Sequence, residues 1–228
     1  EIAERIIDIR AIAREAGYRT KVAVSSIDSK VDCVGACVGV RGSRIKNILD
    51  ELGGERIDII RFNESMQVMI PNALQPAHID EVQIYPRIGR AIVLVQEDQL
   101  SLAIGKRGQN VRLASKLVAI DIEVMTFEEL TEEIERAESE FSQLPHASEE
   151  VVDSLIEEGF LSFGDVSVME PEQIMEVTGL EQAAAEEMVA FAEEAEEAMP
   201  QETGSRSSVL SGTSQPGSSS PSAAAQLV

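Results

Sequence analysis

Short apolar stretches between polar segments dominate the first half of the chain, and their spacing alternates between the periods of strands and helices. The most regular set has the order helix, strand, strand, helix, helix, strand, predicted over residues 64–74, 81–85, 91–96, 99–104, 109–117 and 120–125. Pro76 ends the first helix, and a Pro-Arg-Ile-Gly turn at residues 86–89 makes the two strands a hairpin. Asp98 is the expected N-cap of the second helix.

This set of elements occurs twice in the chain. Residues 32–42 align with residues 98–108, which lie 66 positions later, and Ile45-Lys46 align with Val111-Arg112 at the same offset. Three residues are then lost, after which residues 57–59 match residues 120–122. The first half therefore contains two copies of one unit of about 60 residues.

The beginning of the first copy fits two patterns. Its apolar residues have a spacing that could line one face of a helix, but over residues 7–14 they also alternate with charged residues, as in a half-buried strand. The repeat favours the strand, paired with a second strand over residues 20–25. Residues 1–5 then remain for the opening helix, which we expect to be cut short, as in a chain that starts inside a longer protein.

The second half has a helical pattern throughout. A capping box, Thr126-Phe127-Glu128-Glu129, opens a helix that is expected to end before Pro145. Residues 146–199 contain four short helical patterns separated by Gly159, Pro171 and Gly179. Ten apolar residues of this segment could fill a small core: Val152, Leu155, Ile156, Phe160, Val166, Ile174, Val177, Leu180, Met188 and Phe191. Residues 200–228 are rich in Ser, Gly, Pro and Thr, which predicts a disordered tail.

Charge divides the chain at the same place. Residues 1–126 carry 17 basic and 17 acidic side chains, whereas residues 127–228 carry 2 basic and 24 acidic, which accounts for the net charge of −22. A neutral half can still hold a local basic site for nucleic acid, but the acidic half repels nucleic acid.

Several classes of protein are disfavoured by what the sequence lacks. No apolar run reaches the roughly 18 residues of a membrane span, and no signal-peptide pattern follows Glu1, so we expect a cytoplasmic protein. Cys33 and Cys37 cannot complete a common four-ligand zinc site and are interpreted as small buried apolar residues. Phosphate-binding and dinucleotide-binding motifs are missing, and His78 and His146 have no evident catalytic partner. We therefore expect no enzyme, no cofactor and no metal.

Each copy carries a Gly-x-x-Gly segment between its two adjacent helices: Gly39, Val40, Arg41 and Gly42, then Gly105, Lys106, Arg107 and Gly108. Two glycines permit a tight turn that a ligand backbone can approach, and the helix N-terminus behind it favours an anion. KH modules clamp about four nucleotides with such a loop, which predicts phosphate contacts for Arg41, Lys106 and Arg107. Further candidates for RNA contact, each of which could instead be an ordinary helix residue, are Ser43, Arg44, Lys46, Gln109, Asn110 and Arg112.

These residues resemble a known family. Residues 34–44, 55–60 and 72–74 are similar to the first KH module of the NusA family of bacterial transcription factors, and residues 99–114 (QLSLAIGKRGQNVRLA) are similar to the second. The resemblance covers residues 1–126 and implies two fused prokaryotic-type (type II) KH domains that bind single-stranded RNA, the nascent transcript, as one surface. It also implies domains before Glu1, one for RNA polymerase and an OB-fold for RNA, and a role in pausing, termination and antitermination.

The sequence departs from the family at three places. The family usually has proline at Cys33, tryptophan at Phe62 and Gly-Trp near Val118-Ala119. Because these look like packing or turn positions, the resemblance still implies the same fold and function.

Residues 146–199 resemble the acidic helical repeat of some NusA proteins, with helix-hairpin-helix-like turns at Gly159 and Gly179. Arg136 and Arg206 are the basic residues after position 126, so DNA binding is disfavoured and a protein partner is expected. The segment could also be a solvated appendage. As a further hypothesis, it docks on the basic KH loops and weakens RNA binding.

The sequence therefore predicts an α+β protein, a monomer, in five parts. These are a first KH domain over residues 1–63, a second over 64–126, a linker helix over 127–145, an acidic helical domain over 146–199 and a disordered tail over 200–228. A ribosome-associated KH protein and a protein-interaction scaffold are the alternatives. The tandem repeat and the acidic extension argue against the first alternative, and the paired glycine loops argue against the second.

Overall fold

The computed structural model describes residues 1–198, so the predicted disordered tail at residues 200–228 lies outside the described residues. Two similar α/β modules are followed by a group of helices. The first module comprises β1 Ile7–Glu15, β2 Arg19–Ser26, α1 Cys33–Val38, α2 Ile45–Glu51 and β3 Arg56–Arg61. The second comprises α3 Met66–Leu74, β4 Glu81–Tyr85, β5 Arg90–Leu94, α4 Glu97–Ile104, α5 Gln109–Val118 and β6 Asp121–Met125. The helical group comprises α6 Phe127–Phe141, α7 Glu149–Glu157, α8 Phe163–Ser167, α9 Pro171–Thr178 and α10 Gln182–Ala198.

Each module has one three-stranded mixed sheet, in the order β1-β2-β3 and β4-β5-β6. The first two strands of each sheet are an antiparallel hairpin, and the third strand lies parallel to the second. The α+β fold with two tandem KH modules and a C-terminal helical region is therefore confirmed.

Two local predictions are wrong. Residues 1–5 form turns rather than a helix, and Arg5 has a φ of 58°, which lies outside the right-handed helical region. Asp98 is not an N-cap: α4 begins at Glu97 with Gln96 as its N-cap, and Asp98 lies in the first turn. The equivalent Asp32 does cap α1, since its side chain accepts a hydrogen bond from the Gly35 N–H at 3.1 Å.

The first sheet is covered on both faces, but by different modules. Val24 and partly buried Val22 and Ile59 face α1, where they pack with Cys33. On the opposite face Ala13, Ala23 and Ile60 pack with residues of the second module. Helix α5 contacts β1 and β2 there, so the two KH modules share one core.

The second sheet has the same two-sided arrangement. Ala91 and Val93 face its own helices, α3 and α5. Ile92, Leu94 and Met125 point the other way and belong to the core of the helical group. Five consecutive apolar residues at positions 91–95 fit a strand that is buried on both faces.

The helical group, α6–α10, packs as one unit that we call the helical module. All ten apolar residues that were expected to form its core do so, with Val152, Leu155, Phe160, Val166, Ile174 and Met188 buried. Leu130, Ala137 and Phe141 of α6 lie in the same core, so the helix interpreted as a linker packs as part of this module.

Candidate nucleic-acid interface

The two Gly-x-x-Gly segments have the same backbone conformation. We call residues 39–42 the first glycine loop and residues 105–108 the second. The opening glycines have φ/ψ of 73°/172° and 76°/171°, and Arg41 and Arg107 have 53°/31° and 55°/32°. In both loops the N–H of the closing glycine donates to the carbonyl of the opening glycine at 3.1 Å. The repeat therefore places two equivalent turns, each between the paired helices of a KH module.

The opening and closing glycines are required for different reasons. A Cβ on Gly105 would lie 2.7 Å from Asn110 Cβ, and one on Gly39 would lie 2.8 Å from Arg44 Cγ, so a side chain does not fit at either position. A Cβ on Gly42 or Gly108 would meet its nearest neighbour only at 3.8 or 3.9 Å. The closing glycines are thus favoured by their positive φ alone.

The expected phosphate-binding side chains are exposed. Val40 is 82% exposed, and Arg41, Lys46, Lys106 and Arg107 all reach solvent. Within residues 1–198 none of these four cations forms a salt bridge. Their charge is therefore not neutralised by the fold and can attract an anionic ligand.

Arg44 and Asn110 occupy equivalent positions after the two loops and both donate hydrogen bonds to backbone carbonyls, although Arg44 is exposed and Asn110 is buried. Arg44 donates to the Ala36 carbonyl at 2.7 Å and pairs with Glu1 at 2.7 Å. Asn110 is 1% exposed, and its Nδ2 donates to the carbonyls of Ala103 and Leu74, both at 3.0 Å. These side chains tie each loop to the helix before it, and the amide nitrogen of Asn110 is not available to RNA.

Gln109 and Arg112 point toward the first KH module. Arg112 Nε donates to Glu15 at 2.6 Å, and Gln109 Nε2 donates to the same carboxylate at 3.0 Å. Arg112 Nη1 also donates to the Arg107 carbonyl at 3.1 Å. The Arg112 hydrogen bond, followed by the Gln109 hydrogen bond and the nearby charges, holds the pKa of Glu15 below its usual range. Glu15 could not be recognised from the sequence, because its role depends on a partner 97 positions away.

Ser43 is exposed between the first loop and α2, which begins at Ile45, and its N–H donates to the Val40 carbonyl at 3.1 Å. The candidate RNA-binding residues thus divide into two groups. The exposed group is Val40, Arg41, Ser43, Lys46, Lys106 and Arg107. The engaged group is Arg44, Gln109, Asn110 and Arg112.

The helical module docks on the second sheet through its acidic residues. Arg90 lies between Glu123, at 3.6 Å, and Asp165, to which Nη1 donates at 3.0 Å. Arg87 pairs with Glu158 at 3.4 Å and Glu176 at 2.7 Å. In residues 1–198 no salt bridge joins this module to a glycine loop, contrary to the hypothesis that it docks on the loops.

The cysteines and acidic clusters offer no second site in the described part of the chain. Cys33 is buried, and Cys37 is partly buried with a pKa raised by burial. Among residues 1–198 no group of three or more His, Cys, Asp or Glu could hold a metal ion. No helix in that range is long and apolar enough to cross a membrane.

Comparisons with known proteins agree with this geometry. The family model described as the NusA-like first KH domain matches residues 1–62, and the NusA-like second KH domain matches residues 66–132. The transcription termination/antitermination protein NusA of Thermus thermophilus is 49% identical over 142 residues, 61% of this chain and 37% of that protein. The protein of the same description from Borreliella burgdorferi is 41% identical over 180 residues, 76% of this chain and 37% of its own length.

A solved structure described as "Crystal structure of APE1850" matches over 51% of this chain and 88% of its own length, at 26% identity and a TM-score of 0.41. The chain matches little more than a third of the length of each of these two relatives. With both halves of the tandem module matched in order, the chain belongs to the NusA-like KH family.

Proposed function

We propose that residues 1–126 bind single-stranded RNA along both glycine loops, as part of a cytoplasmic transcription factor that acts on the nascent transcript and RNA polymerase. One observation carries the proposal: two glycine loops of equal backbone geometry present Arg41, Lys106 and Arg107 without a salt bridge in residues 1–198. KH folds clamp about four nucleotides with such a loop.

Each part of a glycine loop has a task in this binding. The glycines leave no side chain between the backbone and the ligand, and in the second loop Gly108 is the N-cap of α5, whose free N–H groups favour phosphate. Arg41 and Arg107 sit at the turn of each loop, and Lys106 adds a second cation to the second loop. The clamp thus recognises the sugar-phosphate backbone first, while bases would be read by neighbouring groups.

The test is fluorescence anisotropy of a labelled, unstructured RNA with the full chain. It compares wild type with a variant that carries Val40→Asp, Arg41→Asp, Lys106→Asp and Arg107→Asp. Aspartate suits the left-handed conformation of positions 41 and 107 better than most residues, so the loops should keep their shape. We expect wild-type affinity to fall with salt and the variant to bind far more weakly, its residual binding having a salt slope smaller by about 2 for three lost phosphate contacts.

A matched control changes Ile27, Arg5, Lys30 and Arg56 to Asp. All four are exposed and outside the loops, and the change in net charge is the same. Circular dichroism checks that each variant folds. Equal loss in the control and the loop variant would show a non-specific charge effect and overturn the proposal, as would wild-type binding that the loop variant retains.

For the helical module we propose a protein partner with a basic surface. Its acidic residues far outnumber its one described cation, Arg136, which already pairs with Glu140 at 3.8 Å. Control of pausing, termination or antitermination would then combine RNA held at the loops with proteins held at this module and at RNA polymerase. We propose binding, without catalysis, throughout.

A further inference from the structure

Glu15 connects the first KH module to the glycine loop of the second. It lies at the end of β1, and its two carboxylate oxygens accept hydrogen bonds from Arg112 and Gln109 of α5. The same Arg112 donates to the carbonyl of Arg107. A continuous chain of hydrogen bonds therefore runs from one module through α5 to the left-handed residue of the second loop.

Among residues 1–198 the first loop has no equivalent chain of hydrogen bonds to the other module. The repeat aligns Arg112 with Lys46, which is exposed and forms no salt bridge within residues 1–198. The connection is therefore not a general feature of the repeated unit. It occurs where the two modules meet, at the contact of α5 with β1.

Resting on the proposed RNA binding, we propose that Glu15 is a positioning residue that fixes the second glycine loop relative to the first module. Arg112 is then the residue through which Glu15 acts, rather than a phosphate ligand. A guanidinium has five donors in a rigid fork, so one Arg112 side chain can satisfy both Glu15 and the Arg107 carbonyl. An RNA that spans both loops needs their relative position to be set before it binds, since ordering on binding costs affinity.

The sign of the effect separates positioning from simple electrostatics. Glu15 is an anion close to a site for RNA, and by charge alone its removal would strengthen RNA binding. If Glu15 positions the second loop, its removal weakens RNA binding despite the more favourable charge. Glu15→Gln tests this directly because the amide keeps the size of the side chain and loses its charge.

The experiment measures anisotropy of two labelled oligouridylates with the full chain: one of about ten nucleotides, enough for two clamps, and one of about four, enough for one clamp. We expect Glu15→Gln to weaken binding of the longer RNA about 5-fold, as for residues in one hydrogen-bonded network, and to change binding of the shorter RNA much less. Arg112→Lys should weaken binding of the longer RNA by a similar factor, because lysine keeps the positive charge but loses the forked set of donors. Glu15→Gln should have no further effect in a chain that already carries Lys106→Asp and Arg107→Asp.

Glu140→Gln is the matched control, since it removes one carboxylate from an ion pair on α6 in the helical module. Thermal denaturation shows whether each variant is folded at the assay temperature. Unchanged or tighter binding by Glu15→Gln, or full binding by Arg112→Lys, overturns this proposal while leaving the proposed function intact. Failure of the wild-type chain to bind RNA overturns the proposed function, and this proposal with it.

Discussion

At the scale of single residues, Ala119 is an alanine in a conformation that favours glycine. It ends α5 with φ/ψ of 56°/34°, and its side chain is exposed. The left-handed conformation costs an L-residue about 1 kcal/mol through contact of Cβ with the backbone, and glycine avoids that cost.

Ala119→Gly should therefore stabilise the protein by about 1 kcal/mol, although glycine gains more backbone entropy on unfolding. Thermal denaturation followed by circular dichroism should show Tm higher by about 2–4 °C. The same substitution at exposed Ala183, within helix α10, should not stabilise. A lower Tm for Ala119→Gly would show that the left-handed alanine carries no strain here.

The two glycines of the second loop should respond differently to alanine. A Cβ at Gly105 would lie 2.7 Å from the Cβ of buried Asn110, whereas one at Gly108 meets nothing closer than 3.9 Å. Gly105→Ala should displace Asn110 from its two carbonyl partners, and an unpaired buried carbonyl costs about 1–3 kcal/mol. We therefore expect Gly105→Ala to lower the free energy of unfolding more than Gly108→Ala does. Urea denaturation of both variants measures the difference, and equal losses would contradict this account.

At the scale of secondary-structure elements, Glu55 ties the first hairpin to the start of β3. It is 2% exposed, and its carboxylate accepts hydrogen bonds from Arg14 at 2.9 and 2.8 Å, from the Gly17 N–H at 2.9 Å and from Thr20 Oγ1. The hydrogen bonds from Arg14, then those from Thr20 and Gly17, lower the pKa of Glu55 to about 2. One side chain thus satisfies donors from β1, the turn and β2.

This pKa makes a prediction about acid stability. In the unfolded chain a glutamate has a pKa of about 4.3, so folding favours the ionised Glu55 and its contribution is complete above that pH. The stabilisation by ionised Glu55 should be lost progressively between about pH 4.5 and the folded-state pKa of about 2, where Glu55 becomes protonated. Glu55→Gln should lower the free energy of unfolding at pH 7 and make it less dependent on pH over this window.

Urea denaturation of wild type and variant at pH 7, 5, 4 and 3 provides the measurement. The two curves of stability against pH should converge as the pH falls. Parallel curves would show that the ionised carboxylate contributes nothing specific. Glu64→Gln, at an exposed position between β3 and α3, is the control and should leave the pH dependence unchanged.

The elements of the two KH modules were largely predictable from sequence, because the repeat supplied all of them twice except the opening helix, which residues 1–5 do not form. The continuous run at 91–95 was itself a signal for a strand covered on both faces, though nothing in it identified what covers the second face. The exposed loop cations follow from their position in the motif. Arg44, Asn110 and Arg112 could not be assigned in this way, since the sequence does not show whether a polar side chain stays free in solvent or bonds a carbonyl, as Arg44 and Asn110 do, or a carboxylate of the other module, as Arg112 does.

At the scale of the whole molecule, each sheet is covered on one face by its own helices and on the other by the module that follows it in sequence. The second KH module covers the first sheet, and the helical module covers the second sheet. Ile92 and Leu94 would face water if the helical module were removed, so we expect a truncated chain that ends at residue 126 to be less stable and less soluble. For this reason the binding experiments use the full chain.

Arg90 is the polar centre of the contact between the second sheet and the helical module, and replacing Arg90 should destabilise that contact. It is mostly buried between Glu123 and Asp165, so Arg90→Met would leave two carboxylates of the interface without their cation. Removing one partner of a buried ion pair lowers the free energy of unfolding by about 3 kcal/mol, which urea denaturation of the full chain would detect. Arg87→Met is the matched control: its partners, Glu158 and Glu176, are more exposed, and the loss should stay below about 1 kcal/mol.

The loss caused by Arg90→Met should also depend on pH, with a sign fixed by Glu123. Burial raises the pKa of Glu123, Arg90 opposes the shift, and the nearby Asp165 and Asp121 add to it. Without Arg90 the folded-state pKa rises further, so the neutral form is favoured in the folded chain and destabilisation grows as the pH rises through that pKa. We expect a smaller loss at pH 5 than at pH 8, and Glu123→Gln should restore part of the stability of Arg90→Met at pH 8. An equal loss at both pH values would mean that Arg90 holds the helical module by packing of its side chain and not by its charge.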